Sequence, residues 1–535
     1  MEQDQVHPLE EEIKKRRTFA IISHPDAGKT TLTEKLLLYS GMIHTAGMVR
    51  GRKGRKAAAS DWMAMEQERG ISITSSAMQF HYKNAVINVL DTPGHEDFSE
   101  DTYRTLTAAD CAIMVIDAAK GVERQTRKLF EVCRIRKIPV LTFMNKMDMP
   151  GREPLDLMHE VENVLGIHSS AVNWPIGSGR DFVGVYDRLN KACLFFSKTS
   201  VGGAQKADVV RCPLDSQETV KWIGQERVDA LKGELELLEL AGNPFDRQEF
   251  LAGHVTPVFF ASALTNFGVE PFFDAFVDLA PSPQARLADM VKGGGEVSIE
   301  PITHPFSAYV FKIQANMDKR HRDSMAFLRI CSGKFEKDLV VKNHRLGREV
   351  RLSRPHGMVA GERSTVDTAY AGDILGVINP GVFAVGDTIS TTGGFNFKPL
   401  PQFQPEIFAK VAPKDVGKRK TFDKGIQQLT EEGAIQIMGS LEFEGDLIFG
   451  AVGQLQFEVL QYRLRDEYGC ETLLTTLPYH CSAWLIGDPK TFAKTSNSQM
   501  VKDKLGRPMV LFGEPWEKQY AMKQNPSHQL VDIIV

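Results

Sequence analysis

Four short strings constrain this chain more than anything else in it, because each follows directly on a run of apolar residues. In order they are Ser23-His24-Pro25-Asp26-Ala27-Gly28-Lys29-Thr30, Asp91-Thr92-Pro93-Gly94-His95, Asn145-Lys146-Met147-Asp148 and Ser262-Ala263-Leu264. The runs before them are Phe19 to Ser23, Ala85 to Leu90, Ile138 to Met144 and Val255 to Phe260. A short apolar run that ends in a polar turn reads as a buried strand. Polar loops at the carboxyl ends of parallel strands are where an open α/β sheet holds its ligands. The expected first domain is therefore an α/β P-loop domain with a mostly parallel, doubly wound sheet.

The first string, continued by Thr31, joins a strand to a helix expected over Thr31 to Leu38. Free N–H groups and the helix dipole make that junction an anion site. Lys29 is expected to reach the β- and γ-phosphates and the Thr30 hydroxyl to bind Mg²⁺. Ser23 stands where the usual G-x-x-x-x-G-K-[ST] pattern has its first glycine. A chance Gly-Lys-Thr at a helix start is the competing reading. In the second string, Asp91 can hold Mg²⁺ through water. The Gly94 N–H can meet the γ-phosphate, since glycine allows close approach. His95 then stands where Ras-type enzymes place a water-orienting Gln. An ordinary turn Asp and a surface histidine are the bland alternatives.

The third and fourth strings read the base. The Asp148 carboxylate can accept from guanine N1–H and N2–H₂. Adenine offers neither pair and would leave the carboxylate unpaired, which is costly. The Lys146 stem can cover the base, and Asn145 can tie its loop to the phosphate cradle. A backbone N–H of Ser262-Ala263-Leu264 can serve guanine O6. GTP is thus the expected substrate and GDP the product.

Composition limits the alternatives. A chain of 535 residues predicts about three domains. No apolar run approaches the roughly 20 residues that span a bilayer, and the acidic-then-basic segment Glu10 to Arg17 is no secretory signal. Seven cysteines without a C-x-x-C pair suggest free thiols in a reducing, cytoplasmic setting. The net charge of −4 restricts nucleic-acid contact to local patches. Candidates are Arg50 to Lys56, equally readable as a solvated loop, and Lys418-Arg419-Lys420, which reads more readily as solvated surface.

The expected boundaries are 1–285 for the nucleotide domain, 300–397 for a β-barrel and 402–535 for an α+β domain. The long step from Asp148 to Ser262 implies an inserted subdomain over about 174–250, with a charged helix near Gln225 to Leu240. Pro281-Ser282-Pro283 and Gly293-Gly294-Gly295 mark a flexible linker. Two amphipathic helices are expected near Lys420 to Glu432 and Gln454 to Tyr468. The tail after about Lys494 carries no recognisable chemical motif.

The chain resembles the bacterial peptide chain release factor 3 family, translational GTPases similar to elongation factor G over their front half. The likeness rests on SHPDAGKTT (Ser23 to Thr31), SDWMAMEQERGISIT (Ser60 to Thr74) and LDTPGHEDFSEDTYR (Leu90 to Arg104). FKIQANMDKRHRDSMAFLRICS (Phe311 to Ser332) and GAVGQLQFEVLQYRL (Gly450 to Leu464) extend it. Elongation factor G continues through two further domains, whereas the resembled family ends about where this chain does, at Val535. The resemblance implies a catalytic His95, flanked by Pro25 and Ile71, and a first switch at Arg69 to Ile73 whose Ser72 hydroxyl reaches Mg²⁺. It implies the ribosome as activator, through its sarcin–ricin loop and stalk, and class I release factors as partners to be dissociated after peptide release. It implies a monomer that uses no membrane. Another translational GTPase, of the elongation-factor-G or ribosome-protection type, is the nearest alternative. A nucleotide-dependent binding module without turnover is the other, although Lys29, Asp91 and His95 are all intact.

Overall fold

The computed structural model describes residues 3–43, 76–197, 204–315, 324–353, 355–359, 362–441 and 447–534. Arg50 to Lys56, Ser60 to Thr74 and with it Ile71 and Ser72 lie outside them.

The first domain is built on a seven-stranded sheet. Its strands are β1 (Arg16–Ser23), β2 (Ser76–Tyr82), β3 (Ala85–Asp91), β4 (Cys111–Asp117), β5 (Val140–Asn145), β6 (His168–Ala171) and the later strand Val255–Phe260. Their order across the sheet is β2-β3-β1-β4-β5, then Val255–Phe260, then β6. Only β2 runs antiparallel, as a hairpin with β3; the other pairings are parallel. β3, β4 and β5 are buried at every position. Strands covered by helices on both faces require that, which explains their near-continuous apolar sequences. The insertion folds as a four-stranded antiparallel sheet running from Asn173–Ile176 to Asp208–Pro213. The helix Gln225–Ala241 follows it.

The middle domain is an antiparallel β-barrel-like unit around the long hairpin Ser307–Ala315 and Ser324–Ser332. The expected linker is not a free tether. Arg286–Met290 pairs with Glu296–Ile299 on one side and Phe395–Phe397 on the other. The three glycines therefore serve as the tip of a hairpin within a small sheet. The N-terminal helix Gln3–Lys14 also packs with the middle domain, where Ile13 joins its core.

The third domain is α+β. One eight-stranded sheet spans it, and its strand pairs are antiparallel. The helices Arg419–Glu432 and Gln454–Asp466 pack on this sheet. The tail belongs to the same sheet through Ser498–Lys502 and Pro508–Phe512, followed by a helix, Pro515–Gln524, that the sequence pattern did not suggest.

Buried polar contacts join the domains. Arg16 pairs with Asp373 of the middle domain at 2.9 Å, and Thr18 donates to the Gly372 carbonyl at 2.6 Å. Tyr103 stacks near Phe403, with ring centroids 3.8 Å apart. Arg104 donates to the Glu432 carbonyl of the third domain at 3.1 Å. Among the described residues no helix is long and apolar enough to cross a membrane. All seven cysteines are free thiols.

Candidate active site

The loop between β1 and the helix Lys29–Tyr39 turns through two left-handed residues, Asp26 (φ 67°) and Gly28 (φ 98°). Gly28 is the residue before the helix, so the first helical N–H groups open into this loop. A side chain at Gly28 would be strained at that φ and would collide with the Asn145 amide. Lys29 is buried, and its Nζ lies 2.5 Å from Asp91 Oδ1 at the end of β3. The Lys29 ammonium and the Asp91 carboxylate are thus neighbours.

Asn145 does the tying expected of it. Its Nδ2 donates to the Ala27 carbonyl at 2.8 Å, and its Oδ1 accepts from the Ala263 N–H at 2.9 Å. One side chain therefore joins the first, third and fourth strings. The Met147 N–H donates to the Ala261 carbonyl at 3.2 Å and adds a second tie. Ser262 is fully buried, and its Oγ accepts from the Thr265 N–H at 3.2 Å.

The four strings meet at one cavity of about 420 Å³. Ser23, His24, Pro25, Asp26, Gly28, Lys29, Thr30 and Thr31 line one side. Gly94 and His95 contribute from the second string, Asn145, Lys146, Asp148 and the unforeseen Met149 from the third. Ala263 and half-exposed Leu264 close the fourth side. Ala27, Asp91, Thr92, Met147 and Ser262 are buried supports behind that wall. Thr92 Oγ1 donates to the Ile21 carbonyl at 2.7 Å, and the Pro93 carbonyl accepts from Thr102 Oγ1 at 3.3 Å.

Two features suit a guanine nucleotide. Asp148 Oδ1 is buried without a hydrogen-bond partner, an arrangement that is costly unless a ligand supplies the donor. A Cβ at Gly94 would meet nothing closer than Pro25 Cα at 3.8 Å. Protein packing does not require glycine there, and the open space leaves the backbone accessible from the cavity.

Sequence reasoning passed over two carboxylates. Asp117, at the carboxyl end of β4, pairs with Lys146 Nζ at 2.7 Å. Burial alone would raise its carboxyl, but the Lys146 ammonium and the Ala119 N–H outweigh that and hold it below the usual carboxylate range. Its position at the end of an apolar strand between two motif strands was the available signal. Glu123 Oε1 stands 3.3 Å from His24 Nε2, with no local pattern to announce it. His95, for its part, lies 3.1 Å through Nδ1 from Asp97 Oδ1 and is 41% exposed.

Known proteins share both the domains and their order. The elongation factor Tu GTP binding domain matches residues 14–282, elongation factor G domain 2 matches 305–392, and the class II release factor RF3 C-terminal domain matches 397–522. A peptide chain release factor 3 from Synechocystis sp. is 52% identical over 512 residues, 95% of this chain and 92% of that one. Another from Symbiobacterium thermophilum is 51% identical over 522 residues, 97% of each chain. A crystal structure of a Thermus thermophilus protein, 21% identical, superposes with a TM-score of 0.68 over 92% of this chain and 72% of that one; that likeness concerns the fold.

A nucleotide-binding α/β domain followed by elongation-factor-type domains defines a translational GTPase, an enzyme that hydrolyses GTP. Within that class, the chain belongs to the peptide chain release factor 3 family.

Proposed function

We propose that this chain hydrolyses GTP on the ribosome and uses the turnover to dissociate class I, stop-codon-reading release factors after the peptide has been freed. The observation that carries the nucleotide assignment is the buried, unpartnered Oδ1 of the half-buried Asp148 on a cavity also lined by the Lys29 loop. The family relationship along nearly the whole chain supports the ribosomal role.

In this reading Ser23 to Thr31 cradle the phosphates, Asp91 to His95 sense the γ-phosphate, and Asn145 to Asp148 with Ser262 to Leu264 hold guanine. Residues 1–285, with their insertion over about 174–250, form the catalytic unit. Residues 300–397 and 402–535 carry its state outward to the ribosome and the bound factor. The sarcin–ricin loop and the stalk are the ribosomal elements assigned to activation.

The donor set suits Mg²⁺. Thr30 offers a hydroxyl and Asp91 a carboxylate, hard oxygen ligands of the kind that share Mg²⁺ with substrate phosphates and water. Among the described residues no group of three or more His, Cys, Asp or Glu forms a cage, and a substrate-bridging Mg²⁺ does not need one. Ser72 is the third proposed ligand. When bound, the ion neutralises charge developing on the β- and γ-phosphates. Lys29 then contributes its ammonium to the same oxygens, and His95 orients the attacking water.

The test is GTP turnover with and without ribosomes, alongside release of a bound class I factor. An accelerator supplied in trans is worth about 10³–10⁵-fold in enzymes of this kind. His95→Ala should keep GTP binding and lose most of the ribosome-stimulated rate. Stimulated turnover at the native rate in that variant would remove His95 from the mechanism. GTP-bound protein that leaves class I factors in place would overturn the biological role alone.

A further inference from the structure

The helix Gln454–Asp466 is capped from within only in part: Gln456 Oε1 accepts from the Val452 N–H at 2.6 Å and the Gly453 N–H at 3.4 Å, both ahead of the first helical turn. Gly453 stands at its N-cap and its first turn has no acidic residue. The free N–H groups of such an end need an acceptor. The nucleotide domain provides one: Asp97 Oδ2 accepts from the Leu455 N–H at 2.6 Å, across 358 positions of sequence. Phe98 seals the contact by packing with Leu455 and Val459.

The same carboxylate faces His95. Asp97 Oδ1 is 3.1 Å from His95 Nδ1, and the Asp97 backbone N–H reaches that nitrogen at 3.3 Å. A neutral imidazole has one N–H and one lone pair. Nδ1 therefore faces an acceptor and a donor from a single residue, and the placing of the carboxylate chooses between them. Nearby charges are largely occupied: Lys312 with Asp101 at 3.3 Å and Arg463 with Glu432 at 2.5 Å.

We propose that Asp97 is a positioning residue that makes the state of His95 depend on how the third domain is seated. With the Gln454–Asp466 helix docked, the capped carboxylate keeps the proton on Nδ1. Nε2 is then a free lone pair, able to accept from the attacking water. When the helix withdraws, the carboxylate is released and the Asp97 N–H takes Nδ1. The proton passes through solvent, which reaches the exposed ring, to Nε2. Nε2 is then a donor and cannot take up the water's proton. Movement of the third domain on the ribosome thereby reaches the reacting centre through one side chain. This inference rests on the reading of His95 as the water-orienting residue.

Gly453 makes the idea testable from outside the nucleotide domain. A Cβ there would fall on the Asp97 carboxylate, so Gly453→Ala should push the carboxylate off His95. Full-length protein carrying ¹⁵N-histidine is examined above the histidine titration range, with His95 assigned by its loss in His95→Gln. The native ring signals should be those of Nδ1–H. Gly453→Ala and Asp97→Ala should both shift them to those of Nε2–H. Both should also lower ribosome-stimulated kcat by about 10–100-fold, as lost orienting partners do, with KM for GTP unchanged. Their effects should not add in the double variant. Native signals of Nε2–H, or Gly453→Ala signals identical to native, would overturn the proposal. Should Gly453→Ala not fold, Asp97→Ala decides on the same signals. The ring signals need no ribosome, so they judge the relay separately from the proposed function.

Discussion

Arg329 of the middle domain and Asp110 of the nucleotide domain form an ion pair at 2.5 Å, with side chains 1% and 2% exposed. Asp110 lies just before the central strand β4, at the end of the sheet opposite the nucleotide cavity. Arg329 also donates to Thr18 Oγ1 at 3.1 Å and to the Gly372 carbonyl. The guanidinium thus pins the barrel to the base of the sheet whose other end holds the ligand.

Removing one partner of such a pair leaves a buried charge uncompensated. Asp110→Ala should therefore destabilise the first two domains by about 3–5 kcal/mol. The midpoint of urea unfolding, followed by a probe in each domain, measures it. A change confined to one domain, or none, would show that the pair does not couple them.

Asp148→Asn should weaken GTP binding by the loss of charge-assisted hydrogen bonds worth about 1.5–3 kcal/mol each. The new amide N–H₂ can pair with the xanthine 2-oxo group, so xanthosine triphosphate should now bind better than GTP. Competition binding with GTP, ATP and xanthosine triphosphate decides. Equal binding of ATP and GTP by the native protein would remove Asp148 from base recognition.

Gly28→Ala and Asn145→Ala should fail in the same way. The first forces a Cβ into the Asn145 amide and the second deletes the amide, so each breaks the tie to Ala27 and Ala263. Each broken hydrogen bond that strands a buried partner costs about 1–3 kcal/mol. Isothermal titration with GDP should show at least a tenfold loss for both, about 1.4 kcal/mol, and a double variant little worse than either single one. Full additivity would mean that the two residues act independently.

Lys35 is buried on the helix after the phosphate loop, and desolvation lowers its ammonium to about 8 from the ordinary 10.5. The folded value lies below the unfolded one, so the unfolded chain binds more protons between the two. That residue's contribution to stability rises with pH across about 8 to 10.5. Lys35→Met should accordingly be more stable than native below pH 8, with the advantage shrinking toward pH 10.5. Thermal midpoints of the two proteins across that range provide the check. A constant difference would mean that Lys35 titrates normally.

Much of this molecule could be read along the chain because its decisive signals are local. An apolar run followed by a polar turn specifies a buried strand and the loop at its end, so the α/β domain and the strings that reach the cavity needed no partner segment to be legible. The helices Arg419–Glu432 and Gln454–Asp466 were visible for the same reason, since one face of each is apolar. The helix Pro515–Gln524 was not. It exposes Trp516, Tyr520 and Met522 and buries Glu517 and Ala521, so its pattern has no apolar face to detect. The glycine-marked linker misled because turn residues look alike in a tether and at a hairpin tip; only pairing with Phe395–Phe397 distinguishes them. Tertiary structure alone decided that Asp117 meets Lys146, that Arg329 meets Asp110, and that Asp97 caps a helix of another domain while facing His95. Apart from the local Asp97–His95 contact, these join residues from 29 to 358 positions apart through single carboxylates, and a lone carboxylate carries no periodicity that names its partner.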